Sequence, residues 1–202
     1  MLTDFGTLYS DVFAPELFIL ACTLALLGYE WRAGSESGAT RLGARLFTVL
    51  AGWAVAFAIY ESTGLLFDPI PAWGSDFTGS LGVGVGILLI GGVWWSRRWG
   101  RHVPTFAAAL FAVTAVHIAV TPFWDVSSHV AYTAVPAGYL ALADRRFAPV
   151  VAVPVGMVAA RPLAGAHTWA ESAAGLALAA VFVAAVAVRS SGAVERARPE
   201  NN

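Results

Sequence analysis

Lysine is missing altogether: all 12 basic side chains are arginine. That excludes any mechanism needing a side-chain amine, a retinal Schiff base included. Cysteine occurs once, as Cys22 inside an apolar run, so an internal disulfide framework and a metal–thiolate cluster are ruled out. Charge of either sign is scarce, at 12% of 202 residues, where a soluble domain carries about 25%. The formal net charge of −1 gives no case for nucleic acid as a partner. No basic residue precedes the first apolar run in MLTDFGTLYSDVF, so this stretch is not expected to be a secretory signal peptide. What fills the chain instead is apolar: 58% of residues are hydrophobic, and they come in long runs.

A transmembrane helix needs about 20 mostly apolar residues. Seven stretches approach this, at about 12–31, 43–63, 79–96, 104–122, 128–143, 147–162 and 168–188. The fold class read from them is an all-α, polytopic membrane helical bundle with about seven transmembrane helices. It forms a single domain over 1–189, without internal repeats, followed by a disordered cytoplasmic tail over 190–202. The fifth and sixth stretches are short and carry Pro136, Pro149 and Pro154, so kinks or shielding by neighbours are expected there. The Gly/Ser-rich loop Gly34–Thr40 reads as flexible. Gly82 and Gly86 have GxxxG spacing, which favours close packing within the chain over a dimer interface. Trp31, Trp94, Trp95 and Trp99 on one side, with Trp73, Trp124 and Trp169 on the other, read as interfacial belts.

Arginine sets the orientation. Arg32, Arg41, Arg45, Arg97, Arg98, Arg101, Arg145, Arg146, Arg189, Arg196 and Arg198 all fall on alternate connections, hence on one side. The positive-inside rule makes that side cytoplasmic, with the N-terminus outside and the C-terminus inside. The expected location is the cell membrane, in multi-pass form. Arg161 alone breaks the pattern, at the outer end of the sixth stretch. An arginine there suits an anion better than it suits topology.

The remaining chemistry gathers at that same face: Asp125, then Ser127-Ser128-His129, then Arg161, then His167 and Glu171. His167 and Glu171 are four apart at a helix start and share a face, so the carboxylate can fix the imidazole tautomer and leave the other nitrogen free to attack. Arg161 offers a planar fork suited to phosphate oxygens. His129 is placed to protonate a leaving oxygen, and Ser127 and Ser128 precede a helix whose N-terminus can hold an anion. His117, in the outer half of the fourth stretch, and Asp125 are accessory candidates. A zinc site drawn from His117, His129, His167, Asp125 and Glu171 is chemically compatible. Arg161 would then sit beside a cation, so the preferred reading uses no metal and no cofactor.

These residues resemble the type 2 phosphatidic acid phosphatase (PAP2) superfamily, whose third motif is Ser-Arg-x5-His-x3-Asp and whose second is Pro-Ser-Gly-His. Here the third reads Ala160-Arg161-x5-His167-x3-Glu171, and the second reads Val126-Ser127-Ser128-His129. The resemblance covers about residues 104–188. It implies a six-helix core plus one N-terminal span. It also implies a hydrolase acting on a phosphate monoester or pyrophosphate of a lipid at the outer face, without metal, through a phosphohistidine intermediate. His167 then resembles the nucleophile, Glu171 the aspartate that orients it and His129 the acid. Arg161, Ser127 and the Ser128 backbone resemble phosphate binders. The sequence departs from the family at Ala160, Ser128 and Val126, and no lysine-containing first motif is present. A phosphotransferase of the same superfamily and a non-catalytic descendant binding an anionic headgroup stay open beside the phosphatase, with a transporter or receptor of different class further off. The partners expected are a lipid phosphate and the bilayer; protein partners are not read from the sequence.

Overall fold

Every apolar run becomes a helix. Among the residues described, 1–33 and 39–196 of a computed structural model, there is no strand. The order is α1 (Leu2–Val12), α2 (Pro15–Ala33), α3 (Ala39–Glu61), a single turn α4 (Thr63–Leu66), α5 (Gly74–Arg97), α6 (His102–Val120), α7 (Ser128–Ala143), a 3-10 helix (Arg145–Val151), α8 (Ala152–Leu163) and α9 (Trp169–Arg196). Among the described residues, five segments are long and apolar enough to cross a membrane: Thr40–Glu61, Gly74–Arg97, His102–Val120, Arg145–Leu163 and Trp169–Arg189. Helices α1 and α2 make a sixth if taken together, bent by 42°. The bend follows from Pro15, which has no N–H to continue the ladder, so helix bonding resumes with Phe18 N–H on Ala14 O at 2.9 Å.

The seventh expected crossing is α7. It is helical over 16 residues, about 24 Å at 1.5 Å per residue. It is also the most enclosed helix, packed against α2, α6, α8 and α9. Helices α3 and α5 pack most closely of all, and small residues explain it. A Cβ on Gly86 would lie 2.6 Å from Gly52 O, so Gly86 and Gly82 serve contacts within the chain.

Three expectations change. The residues before position 12, read as an outer segment, form α1, which docks on α8. A Cβ on Gly6 would lie 2.6 Å from Ala160 O and 2.7 Å from Ala164 N. Helix α9 continues past Ser190 to Arg196, into the stretch expected as a disordered tail; residues 34–38 and 197–202 lie outside the described residues. Trp94 is not an interfacial anchor. It is fully buried, and its indole N–H donates to Glu30 Oε2 at 2.8 Å.

Glu30 also accepts from the His102 backbone N–H at 2.5 Å, and Arg45 donates to Trp99 O at 3.0 Å. The Arg45 guanidinium carbon lies 5.5 Å, 5.8 Å and 5.7 Å from the ring centres of Trp31, Trp94 and Trp99. This end of the bundle is thus knotted by a buried acid, a buried arginine and three indoles, drawing together α2, α3, α5 and α6.

Candidate active site

The spacing Arg161-x5-His167-x3-Glu171 is built from two helix ends back to back. Helix α8 closes in a Schellman motif: Gly165 N–H donates to Pro162 O at 3.0 Å and Ala166 N–H to Arg161 O at 3.1 Å. The motif needs a left-handed residue, supplied by Gly165 at φ +73°. Helix α9 opens in a capping box. Glu171 N–H donates to Thr168 Oγ1 at 3.2 Å, and Thr168 N–H donates to Glu171 Oε2 at 2.7 Å. One turn therefore holds Arg161, the next holds Glu171, and His167 stands between them.

Helix α7 starts alongside. Ser127 is its N-cap, accepting weakly from Val130 N–H at 3.5 Å, and its own N–H donates to Glu171 O at 3.3 Å. Gly175 permits this approach, since a Cβ there would lie 2.7 Å from Ser127 O. The loop between α6 and α7 is pinned by His117. Its Nε2–H donates to the Val126 carbonyl at 2.9 Å, which leaves Nδ1 to accept from Ser80 Oγ at 3.0 Å. His117 is buried and fully engaged, so its place is that of a strut rather than a free ligand. Ser128 Oγ donates to Asp76 Oδ1 at 3.2 Å, tying α5 to the same corner.

All the expected site residues come to this end of the bundle. Their roles differ in availability. Ser127 is fully buried and Ser128's hydroxyl is committed to Asp76, so what remains for an anion here is the backbone of α7's first turn. His129 is electrostatically coupled to Arg161 and His167. Arg161 is coupled to Asp76, Asp125 and Asp11. The buried atoms Arg161 Nε, His129 Nδ1 and His167 Nδ1 have no hydrogen-bond partner. His167 Nδ1 stands 3.6 Å from Asp125 Oδ2 and 3.6 Å from Glu171 Oε2. Partial burial pushes the Asp125 carboxyl above the usual carboxylate range; His167 opposes this, while Asp76 and Glu171 add to it.

A cavity of about 320 Å³ adjoins the corner. Its lining combines the acids Asp11, Glu16 and Asp76 with His129, and the apolar Trp53 and Phe57; Arg161 and His167 are not in its lining. Asp76 is the residue that sequence reasoning missed as a site member. Its signal was an acid two residues into a long apolar helix, but nothing local says that the helix start meets Ser128, 52 positions away. The capping signature Thr168-x-x-Glu171 was legible and also passed over. No family model, curated protein or solved structure matches the chain.

Proposed function

We propose that this chain is a membrane-embedded, metal-independent lipid phosphatase of the PAP2 kind. Its substrate is a phosphate monoester or pyrophosphate of a lipid, met at the outer face, with α7 as a seventh crossing, the N-terminus outside and the C-terminus inside. The supporting observation is that Arg161 and His167 both act electrostatically on His129, which lines a cavity together with Trp53, Phe57 and Val83. A lipid phosphate would set its phosphate against His129 and its chain against those apolar residues.

In this reading the substrate phosphate lies against His129, with Arg161 holding its oxygens in a planar fork. His167 Nε2 attacks phosphorus in line with the ester oxygen. An N–P bond forms, the P–O bond to the lipid breaks, and His129, taking up a proton once the phosphate's negative charge is bound beside it, gives that proton to the departing oxygen. Water, deprotonated by His129, then attacks phosphorus; the N–P bond breaks and phosphate leaves. An alcohol in place of water makes the same chain a phosphotransferase. The charges of Asp125 and Glu171, each 3.6 Å from Nδ1, favour a proton on that nitrogen, away from phosphorus.

One observation favours a second reading, a non-catalytic protein that binds an anionic headgroup. Asp76, Asp125 and Asp11 already act electrostatically on Arg161, and no lysine supplies a second cationic clamp. The experiment is phosphate release from a panel of lipid phosphates in detergent with EDTA present. The phosphatase predicts release that falls by about 10²–10⁴ in His129→Ala and vanishes in His167→Ala. No release from any substrate by the folded native protein selects the headgroup-binding reading.

A further inference from the structure

The side of His167 facing away from the proposed phosphate position has a geometry of its own. Its Nδ1 lies 3.6 Å from each of two carboxylates, and the three residues Asp125, His167 and Glu171 each offer an atom within 4.8 Å of the others. A hydrogen bond from imidazole N–H to oxygen spans about 2.7–3.2 Å, so 3.6 Å is too long for either contact. A single ion bound tetrahedrally through bonds of about 2.0–2.1 Å separates its donor atoms by about 3.4 Å. The imidazole is only 4% exposed, and its Nδ1 is a buried polar atom without a partner, aimed between two acids.

We propose that Asp125, Glu171 and Nδ1 of His167 form a binding site for a divalent cation of the zinc type. The donor set is one neutral imidazole and two carboxylates, whose charge matches a 2+ ion and leaves a fourth position open. Asp125 is half-exposed, at 54%, which gives the ion a route in from solvent. Glu171 is already oriented, because its Oε2 accepts the Thr168 N–H of the capping box at 2.7 Å. The imidazole selects zinc over magnesium or calcium, which prefer all-oxygen shells. Arg161 also acts on Asp125 and shares its charge with the ion, so affinity is below that of a closed structural zinc site. The ion and a proton on Nδ1 exclude each other. The inference goes beyond the phosphatase reading, since it needs only these three side chains and a nitrogen that reading does not use for attack.

The test is calorimetric titration of ZnCl2 into untagged, EDTA-stripped full-length protein in detergent. The expected result is one zinc per chain. Asp125→Asn, Glu171→Gln and His167→Ala should each weaken binding at least tenfold, and Mg2+ in excess should not compete. Glu171→Gln keeps the capping acceptor, so its zinc-free melting temperature should stay within a degree or two of the native value, separating lost binding from lost fold. Co2+ in place of zinc should give a visible spectrum that Asp125→Asn abolishes. Absence of a stoichiometric zinc site in the native protein overturns the proposal, as does zinc binding unchanged in both Asp125→Asn and Glu171→Gln. Magnesium binding as tight as zinc overturns the choice of ion. Phosphate release in EDTA is measured on the same preparations: its absence from a protein that binds zinc in the titration counts against the phosphatase alone, and its presence in a protein that binds none in the titration counts against the cation site alone.

Discussion

Gly165 is the position where a one-atom change tests the construction of the site most directly. It sits at φ +73°, and a Cβ built there meets nothing within 4 Å. Steric contact with neighbours therefore contributes nothing to the cost of Gly165→Ala. What remains is the left-handed backbone, which costs an L-residue about 1–2 kcal/mol, offset in part by about 0.4–1 kcal/mol because alanine restricts the unfolded chain. The net destabilisation is about 0.5–1.5 kcal/mol. For a chain of this size that is a fall of roughly 2–4 °C in Tm per kcal/mol. Gly165→Asn should fall less, because asparagine tolerates the left-handed region, and Gly165→Val should fall further. Thermal melts in one detergent, followed by circular dichroism, give the ranking Gly, Asn, Ala, Val. An alanine variant as stable as the native protein would refute the reasoning, because the Schellman turn would then not be what holds Arg161 and His167 at their spacing. If the turn does hold them, phosphate release should fall along the same series.

Glu171→Gln should preserve stability while Glu171→Ala should lower it by about 0.5–2 kcal/mol, because only alanine removes the capping acceptor; matched melts of the two variants check this. His117→Phe should destabilise by about 1–3 kcal/mol by leaving the Val126 carbonyl and Ser80 hydroxyl without a buried partner, read as increased proteolysis of the loop between α6 and α7. Trp94→Phe should cost a similar 1–3 kcal/mol through the Glu30 carboxylate left without its indole donor, seen as a lower Tm with no change in zinc binding. Gly86→Leu should disrupt α3–α5 packing, since even a Cβ would lie 2.6 Å from Gly52 O; the readout is loss of a monodisperse peak on size exclusion.

The bundle was legible because apolar runs must form helices in a bilayer and arginine falls on alternate connections. The convergence of His129, Arg161, His167 and Glu171 was legible too, because their spacings relative to the runs put them at one end. What stayed hidden depended on contacts distant in sequence. Helix α1 is held by Gly6 against Ala160, which no local pattern announces. Asp76 and Ser128 meet across 52 positions. Trp94 looked like its neighbour Trp95, yet one is fully buried and the other 76% exposed. A helix face decides that difference, and hydropathy alone does not resolve which face is inside.

The knot around Glu30 and Arg45 has a mechanical meaning. It fastens α2, α3, α5 and α6 at the end of α6 that begins with His102, while the cavity opens among α2, α3, α5 and α7 near the other end. Helices clamped at one end move as levers. Along α5, from the clamped Trp94 to the cavity-lining Asp76, the lever arm is about 27 Å at 1.5 Å per residue, so a tilt of about 5° would move that end by about 2 Å. The width of the cavity is thus linked to the far end of the bundle, where an indole cage surrounds a single arginine. Substitutions in that cage, such as Arg45→Ala, should therefore change the cavity without touching any residue near the histidines.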